Sequence, residues 1–195
     1  MPEGKQLELW LSRENVPSWH APSASECASC HVDAAGYVLG LNTAQLNRPA
    51  KGEKENQISA WAKKGILELP ENFEIESAAK FCSPHDKSED VETRARVWLD
   101  VNCAMCHQPN GPGNANIDLR YATDLEKTKT IGVRSTQGDL GVENGLLISP
   151  GKSELSLLIH RVETKSVGRM PSIGSNQVDK KAVKLLKEWV DSMKP

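Results

Sequence analysis

Cys103-Ala104-Met105-Cys106-His107 reads C-x-x-C-H, the pattern that attaches a c-type haem. The spacing follows from the chemistry. Two thiols about one helical turn apart reach the two vinyl groups of one porphyrin, and the imidazole that follows meets the iron from the near side. The same pattern stands earlier in the chain, at Cys27-Ala28-Ser29-Cys30-His31. Together the two copies use four of the five cysteines and two of the five histidines. A redox-active C-x-x-C pair, or one zinc site pooling both pairs, uses the thiols but leaves the two following histidines unexplained. The expected cofactors are therefore two covalent haems, with thioethers from Cys27, Cys30, Cys103 and Cys106 and near-side iron ligands His31 and His107.

Working outward from the second motif, Val91, Ala95, Trp98 and Asn102 lie at i, i+4, i+7 and i+11, with Val97 and Leu99 flanking. That period predicts a helix running directly into Cys103. Gln108 to Asn114, rich in Gly, Pro and Asn, predicts a tight loop after the histidine. Residues 114–150 read mostly as loop, with Asp118-Leu119-Arg120-Tyr121 the best candidate for order. Ser153 is placed to cap a helix carrying Leu155, Leu158, Ile159 and Val162. A turn, Gly168-Arg169-Met170-Pro171, follows. Asp179 starts the last helix, with Ala182, Leu185, Leu186, Trp189, Val190 and Met193 on one face.

Upstream, Ser23 or Ser25 is placed to cap a turn that carries the first motif. Ala34 to Leu41 is apolar and glycine-flexed, a composition that can lie flat against a porphyrin. Asn42 begins a short helix that stops near Pro49, and Glu55 to Lys64 predicts another. Residues 68–90 are acidic, contain two prolines and lack periodicity. They read as a linker, which divides the chain into an N-terminal haem-binding unit, 1–90 with the linker from about 68, and a second unit, 91–195. The expected fold class is all-α, with two small haem-binding units, the second a helical fold with long loops.

Among the 195 residues, hydrophobic types make up 38% and the formal net charge is -2. No basic patch argues for nucleic acid. No apolar run approaches the ~18 residues of a membrane span. Aromatic residues are scarce, which suits a core filled partly by a flat cofactor. Met1-Pro2-Glu3-Gly4 is not a secretory leader. Thioether attachment of haem is usually extracytoplasmic. The expectation is thus a periplasmic or otherwise extracytoplasmic location, with a signal peptide removed or the chain excised from a larger protein.

The order of helix, C-x-x-C-H, long loop, helix, Met-Pro turn and terminal helix over residues 91–195 resembles a class I c-type cytochrome. The resemblance implies that the first and last helices of this unit cross, Ala95 and Trp98 meeting Leu186 and Trp189, and that Met170 is the far-side iron ligand. Elimination agrees. Met1 is terminal, Met105 lies inside the motif and Met193 lies on the packed face of the last helix. The chain as a whole is similar to a bacterial di-haem family in which an early C-x-x-C-H precedes a G-x-x-L-G-L-N-T-x-Q-L-N stretch, here Gly36 to Asn47. Arg94-Ala95-Arg96, Asp118 to Tyr121, Pro150-Gly151 and Arg169-Met170-Pro171 are further resembling segments. Such units often end larger extracytoplasmic proteins, some with sugar-dehydrogenase-like domains, so fusion to or complex with a dehydrogenase is one implied context.

No methionine lies between residues 2 and 104, so the first haem needs a different far-side ligand. His85 follows His31 by 54 residues and is the first choice; His20, seven residues before Cys27, is the runner-up. His160 reads as a satisfied helix histidine. Cys82 is the odd thiol and reads as inert. Arg120 and Pro150-Gly151 are candidates to approach haem edges or propionates. The leading function is electron transfer between redox partner proteins through two haems. It requires no catalytic residue and makes the chain no enzyme. The alternative is a di-haem peroxidase-like enzyme or haem sensor with an open iron at the first haem.

Overall fold

The computed structural model describes residues 5–7, 19–175 and 177–194, with side chains from Ala21 onward. Its regular structure is nearly all helical: α1 (Ala24–Ala28), α2 (Thr43–Leu46), α3 (Gln57–Lys63), α4 (Val91–Leu99), α5 (Leu157–Glu163) and α6 (Lys180–Ser192). A short antiparallel ribbon of β1 (Lys5–Leu7) and β2 (Trp19–Ala21) pairs Gln6 with His20. The all-α expectation holds at that level. No helix among the described residues is long and apolar enough to cross a membrane.

Helix starts follow side-chain chemistry. The Asp90 carboxylate accepts from the Thr93 amide at 3.0 Å and opens α4. Asp179 accepts from the Lys181 and Ala182 amides and opens α6. Asn42 and Asn56 do the same for α2 and α3. Each carbonyl or carboxylate satisfies an amide that the first helical turn leaves without an intrahelical partner. The helix expected from Ser153 begins later. Residues Ser153–Leu155 form a 3-10 turn, and α5 starts at Leu157. The physical reason is that Ser153 is drawn to α6, its amide and hydroxyl donating to Asp191. Buried Ser156 instead ties the segment together, accepting from the Ser149 amide and donating to the Lys152 carbonyl.

The core lies where α4 and α6 pack, with α5 alongside. Ala95, Trp98, Leu186 and Trp189 belong to it, as the sequence predicts, together with Leu99, Ile159, Leu185 and Val190. Leu186 and Ala95 have no exposed surface. Full burial of such side chains stabilises by about 1.5–3 kcal/mol each. Cys103 and Ala104 are members of the same cluster, so the second motif begins in the core, while Met105, Cys106 and His107 are half-buried at its edge.

The long loops are held by hydrogen bonds more than by apolar burial. Asp118 is 8% exposed and grips Arg120 and the Thr123 hydroxyl. The Tyr121 amide donates to Asp100 at the end of α4. Short parallel bridges join Ile131 to Ile148 and Leu146 to Ser156. Segment 68–90 is free of helix and strand. It is nonetheless tied down. Asn47 Nδ2 donates to the carbonyls of Ile75, Ala78 and Ala79, and the Phe81 amide donates to Ala44. At its far end Arg94 Nε donates to the Pro84 carbonyl, and the Phe81 ring meets Tyr121 edge-on.

Candidate haem-attachment sites

The first motif is built by a capping box. Ser23 Oγ accepts from the Glu26 amide, and Glu26 Oε2 accepts from the Ser23 amide at 2.8 Å. This starts α1 so that its last turn carries Cys27. The Cys27 carbonyl then accepts from the amides of Cys30 (3.1 Å) and His31 (3.0 Å). Both thiols and the imidazole therefore leave one turn. Beyond it the chain reverses through Gly36 and Tyr37, both with positive φ (69° and 59°). Glycine adopts that conformation freely and tyrosine does not. The reversal places the Tyr37 carbonyl 2.6 Å from His31 Nδ1. A carbonyl oxygen only accepts, so Nδ1 is the donor in this contact and Nε2 is the nitrogen left for iron ligation. Tyr37, Val38 and Leu41 are 59%, 67% and 61% exposed. An apolar face beside a metal-ready imidazole is where a porphyrin fits.

The second motif grows from α4, which passes into a π-helical turn over Asp100–Ala104. Such turns mark functional positions in helices. Here again one carbonyl, that of Cys103, accepts from the amides of Cys106 (3.1 Å) and His107 (2.9 Å). The two motifs thus share one backbone pattern. Burial pushes the Cys103 thiol up to about 12. Burial, and then the neighbouring Cys30, push the Cys106 thiol up to about 11. His107 is held below the ordinary histidine range, first by burial and then by the positive charge of Arg161. Both effects favour its neutral form. Its Nδ1 is buried with no hydrogen-bond partner among the described residues. Packing fixes the ring instead. A Cβ at Gly113 would stand 2.8 Å from His107 Nδ1 and 2.8 Å from the Cys106 carbonyl oxygen. The loop closes onto the motif through the Gly113 amide, which donates to that carbonyl.

Met170 is half-buried, and its amide donates to the Arg161 carbonyl at 2.9 Å. The Met170–Pro171 peptide is cis. The Arg161 guanidinium donates to the carbonyls of Gly168, Gln137 and Gly138. Arg161 thereby holds the turn that carries Met170 while its charge reaches His107.

The candidates for the other far-side ligand fare differently. His85 is exposed in a turn, its amide bonded to Ser83 Oγ. No described contact joins its ring to the first motif. The side chain of His20 lies outside the described residues. His160 donates from Nε2 to the Glu154 carbonyl, the satisfied role expected of it. Burial, and then Glu89, push the Cys82 thiol up, which suits an inert cysteine. Arg120 is engaged by Asp118 at 2.6 Å, and the Gly151 amide donates to Val190 in α6. Arg120 is thus committed to its own loop and Gly151 to α6.

The structure also brings the motifs to each other. Cys30 Sγ lies 3.8 Å from Cys106 Sγ. No group of three or more His, Cys, Asp or Glu side chains is gathered for a metal ion among the described residues. In sequence Tyr37 and Gly113 stand out only as members of the stretches 34–41 and 108–114, and Arg161 does not stand out at all. Gly36 and the Gly-x-Gly spacing of 111–113 were the available signals for the first two. Arg161 acts through main-chain carbonyls, which leave no trace in sequence. No family model, curated protein or solved structure matches the chain.

Proposed function

We propose that this chain is an extracytoplasmic di-haem c-type cytochrome whose work is electron transfer. The observation that carries the reading is the repeated turn: in both C-x-x-C-H segments the first cysteine's carbonyl accepts from the second cysteine and the histidine. Bound at these sites, haem supplies iron that cycles between the ferric and ferrous states. The chain supplies the rest. Cys27 with Cys30, and Cys103 with Cys106, anchor the two porphyrins. Tyr37 orients His31 through Nδ1, and the Gly113 loop fixes the His107 ring. Arg161 holds the turn of Met170, whose thioether would ligate the second iron and would favour its ferrous state. His85 and His20 are the candidates at the first iron. Redox proteins dock transiently, and a dehydrogenase fused to or complexed with the chain is a fitting donor.

Intact mass tests the reading. The expected value is the chain plus two haems, resistant to acid-acetone extraction. A mass without haem rejects it. One observation favours a second reading, a peroxidase-like enzyme or sensor: His31 is exposed beside an open apolar face. Optical spectra decide between them. Two six-coordinate low-spin haems that bind neither CO nor peroxide support electron transfer, whereas a high-spin first haem that binds CO supports the second reading.

A further inference from the structure

Cys30 and Cys106 are the second cysteines of their motifs. They stand 76 residues apart in sequence, yet their sulfurs are separated by 3.8 Å. That is about twice the length of a disulfide bond, so the thiols are in contact without being joined. Each sits one residue before an iron-binding histidine. We infer that the two haems are joined edge to edge through the contact of Cys30 Sγ with Cys106 Sγ, so that the pair is one electronically coupled unit and not two separate carriers.

The inference rests on the proposed di-haem reading and adds an arrangement to it. In each motif the second cysteine's sulfur is bonded to a peripheral carbon of its own porphyrin. Two sulfurs in contact would therefore leave two covalent bonds on each side, sulfur to the vinyl-derived carbon and that carbon to the pyrrole, before the macrocycles begin. The route from one ring to the other contains no intervening side chain. Exchange along it moves one electron: one iron is oxidised as the other is reduced, no bond is made or broken and no proton moves. The positions of both sulfurs are set by the fold. Cys106 follows a core-embedded turn at the end of α4, and Cys30 follows the capped turn of α1. The strap at 81–84, bonded to Ala44 on one side and Arg94 on the other, keeps the two halves in register.

Electron paramagnetic resonance of the intact holoprotein tests this. The fully ferric protein is expected to give a spectrum broadened or split beyond the sum of two isolated low-spin haems. Adding one electron per chain should leave a single ferric centre and a sharp, uncoupled signal. In a redox titration, reducing one haem should shift the midpoint of the other. If the ferric spectrum is the plain sum of two independent signals, and the two midpoints titrate independently, the inference is overturned while the di-haem reading stands. A mass showing one haem overturns both. So does zinc without haem, because two thiolates on one tetrahedral zinc also lie about 3.8 Å apart, given Zn–S bonds of about 2.3 Å.

Discussion

At the scale of single residues, the site depends on groups that hold the imidazoles. Gly113 is the clearest. A methyl group there meets a backbone carbonyl and the His107 ring at once, and neither is the free end of a flexible chain. Gly113→Ala should cost about 1–3 kcal/mol of stability through overpacking. It should also loosen the His107 ligand, visible as a high-spin fraction in the optical spectrum of one haem; an unchanged spectrum and melt would refute this. Met170→Ala should abolish the sulfur-to-iron charge-transfer band and lower one midpoint potential only. Persistence of the band would reject Met170 as the ligand. The shared turn of the two C-x-x-C-H segments was legible because its residues are spelled out in the sequence at a fixed spacing. Tyr37 was not, since its functional atom is a carbonyl oxygen that every residue possesses. What singles it out is the reversal at Gly36, a three-dimensional fact.

Among the elements, α4 and α6 were readable because each places apolar residues on one face and opens on a carboxylate. Their contact is also the main source of stability. Leu186→Ala at this fully buried position should cost about 2–5 kcal/mol, depending on how far the cavity collapses. Asp90→Ala, which removes only an exposed cap, should cost about 1 kcal/mol. Denaturant titration should rank them in that order. The loops were less readable, because their order comes from polar pairs and not from periodicity. Asp118 shows the consequence. Its hydrogen bonds from Arg120, and secondarily from Thr123, hold its carboxyl down at about 2. An unfolded aspartate titrates near 3.9. Between those values the unfolded chain binds a proton that the folded chain does not, so stability falls as pH falls through that window. The contribution is fully present at neutral pH. Unfolding free energy measured from pH 5 to pH 2 should decline less steeply in Asp118→Asn than in the parent. Equal slopes would mean that the pair does not stabilise the loop.

Across the whole molecule the apolar core is distributed very unevenly. Among the described side chains, the buried hydrophobic residues before residue 91 are Ala44 and Ile58; all the others lie at Ala95 and beyond. Residues 21–90 are held by caps, by Asn47 on its three carbonyls and by the strap to α4. Such bonds contribute about 0.5–1.5 kcal/mol each, little against the ordering entropy of about 1 kcal/mol or more per residue. Periodicity was correspondingly weak in this half, and its fold was hard to read from sequence for the same physical reason. The missing apolar volume is what a porphyrin against Tyr37, Val38 and Leu41 would provide. On the proposed di-haem reading, binding of the first haem and ordering of this half are linked, as metal and folding are in small metalloproteins. A Cys27→Ala/Cys30→Ala chain, retaining the second haem, should lose hydrogen-exchange protection across 24–66 while α4 and α6 keep theirs. Trypsin should cut it first at Lys51, Lys54 or Lys63. If exchange and cleavage match the parent across both halves, the first half is stable on its own contacts and the haem is a passenger there. If protection is lost in α4 and α6 as well, the two halves fold as a single cooperative unit, with the strap at 81–84 as the coupling between them.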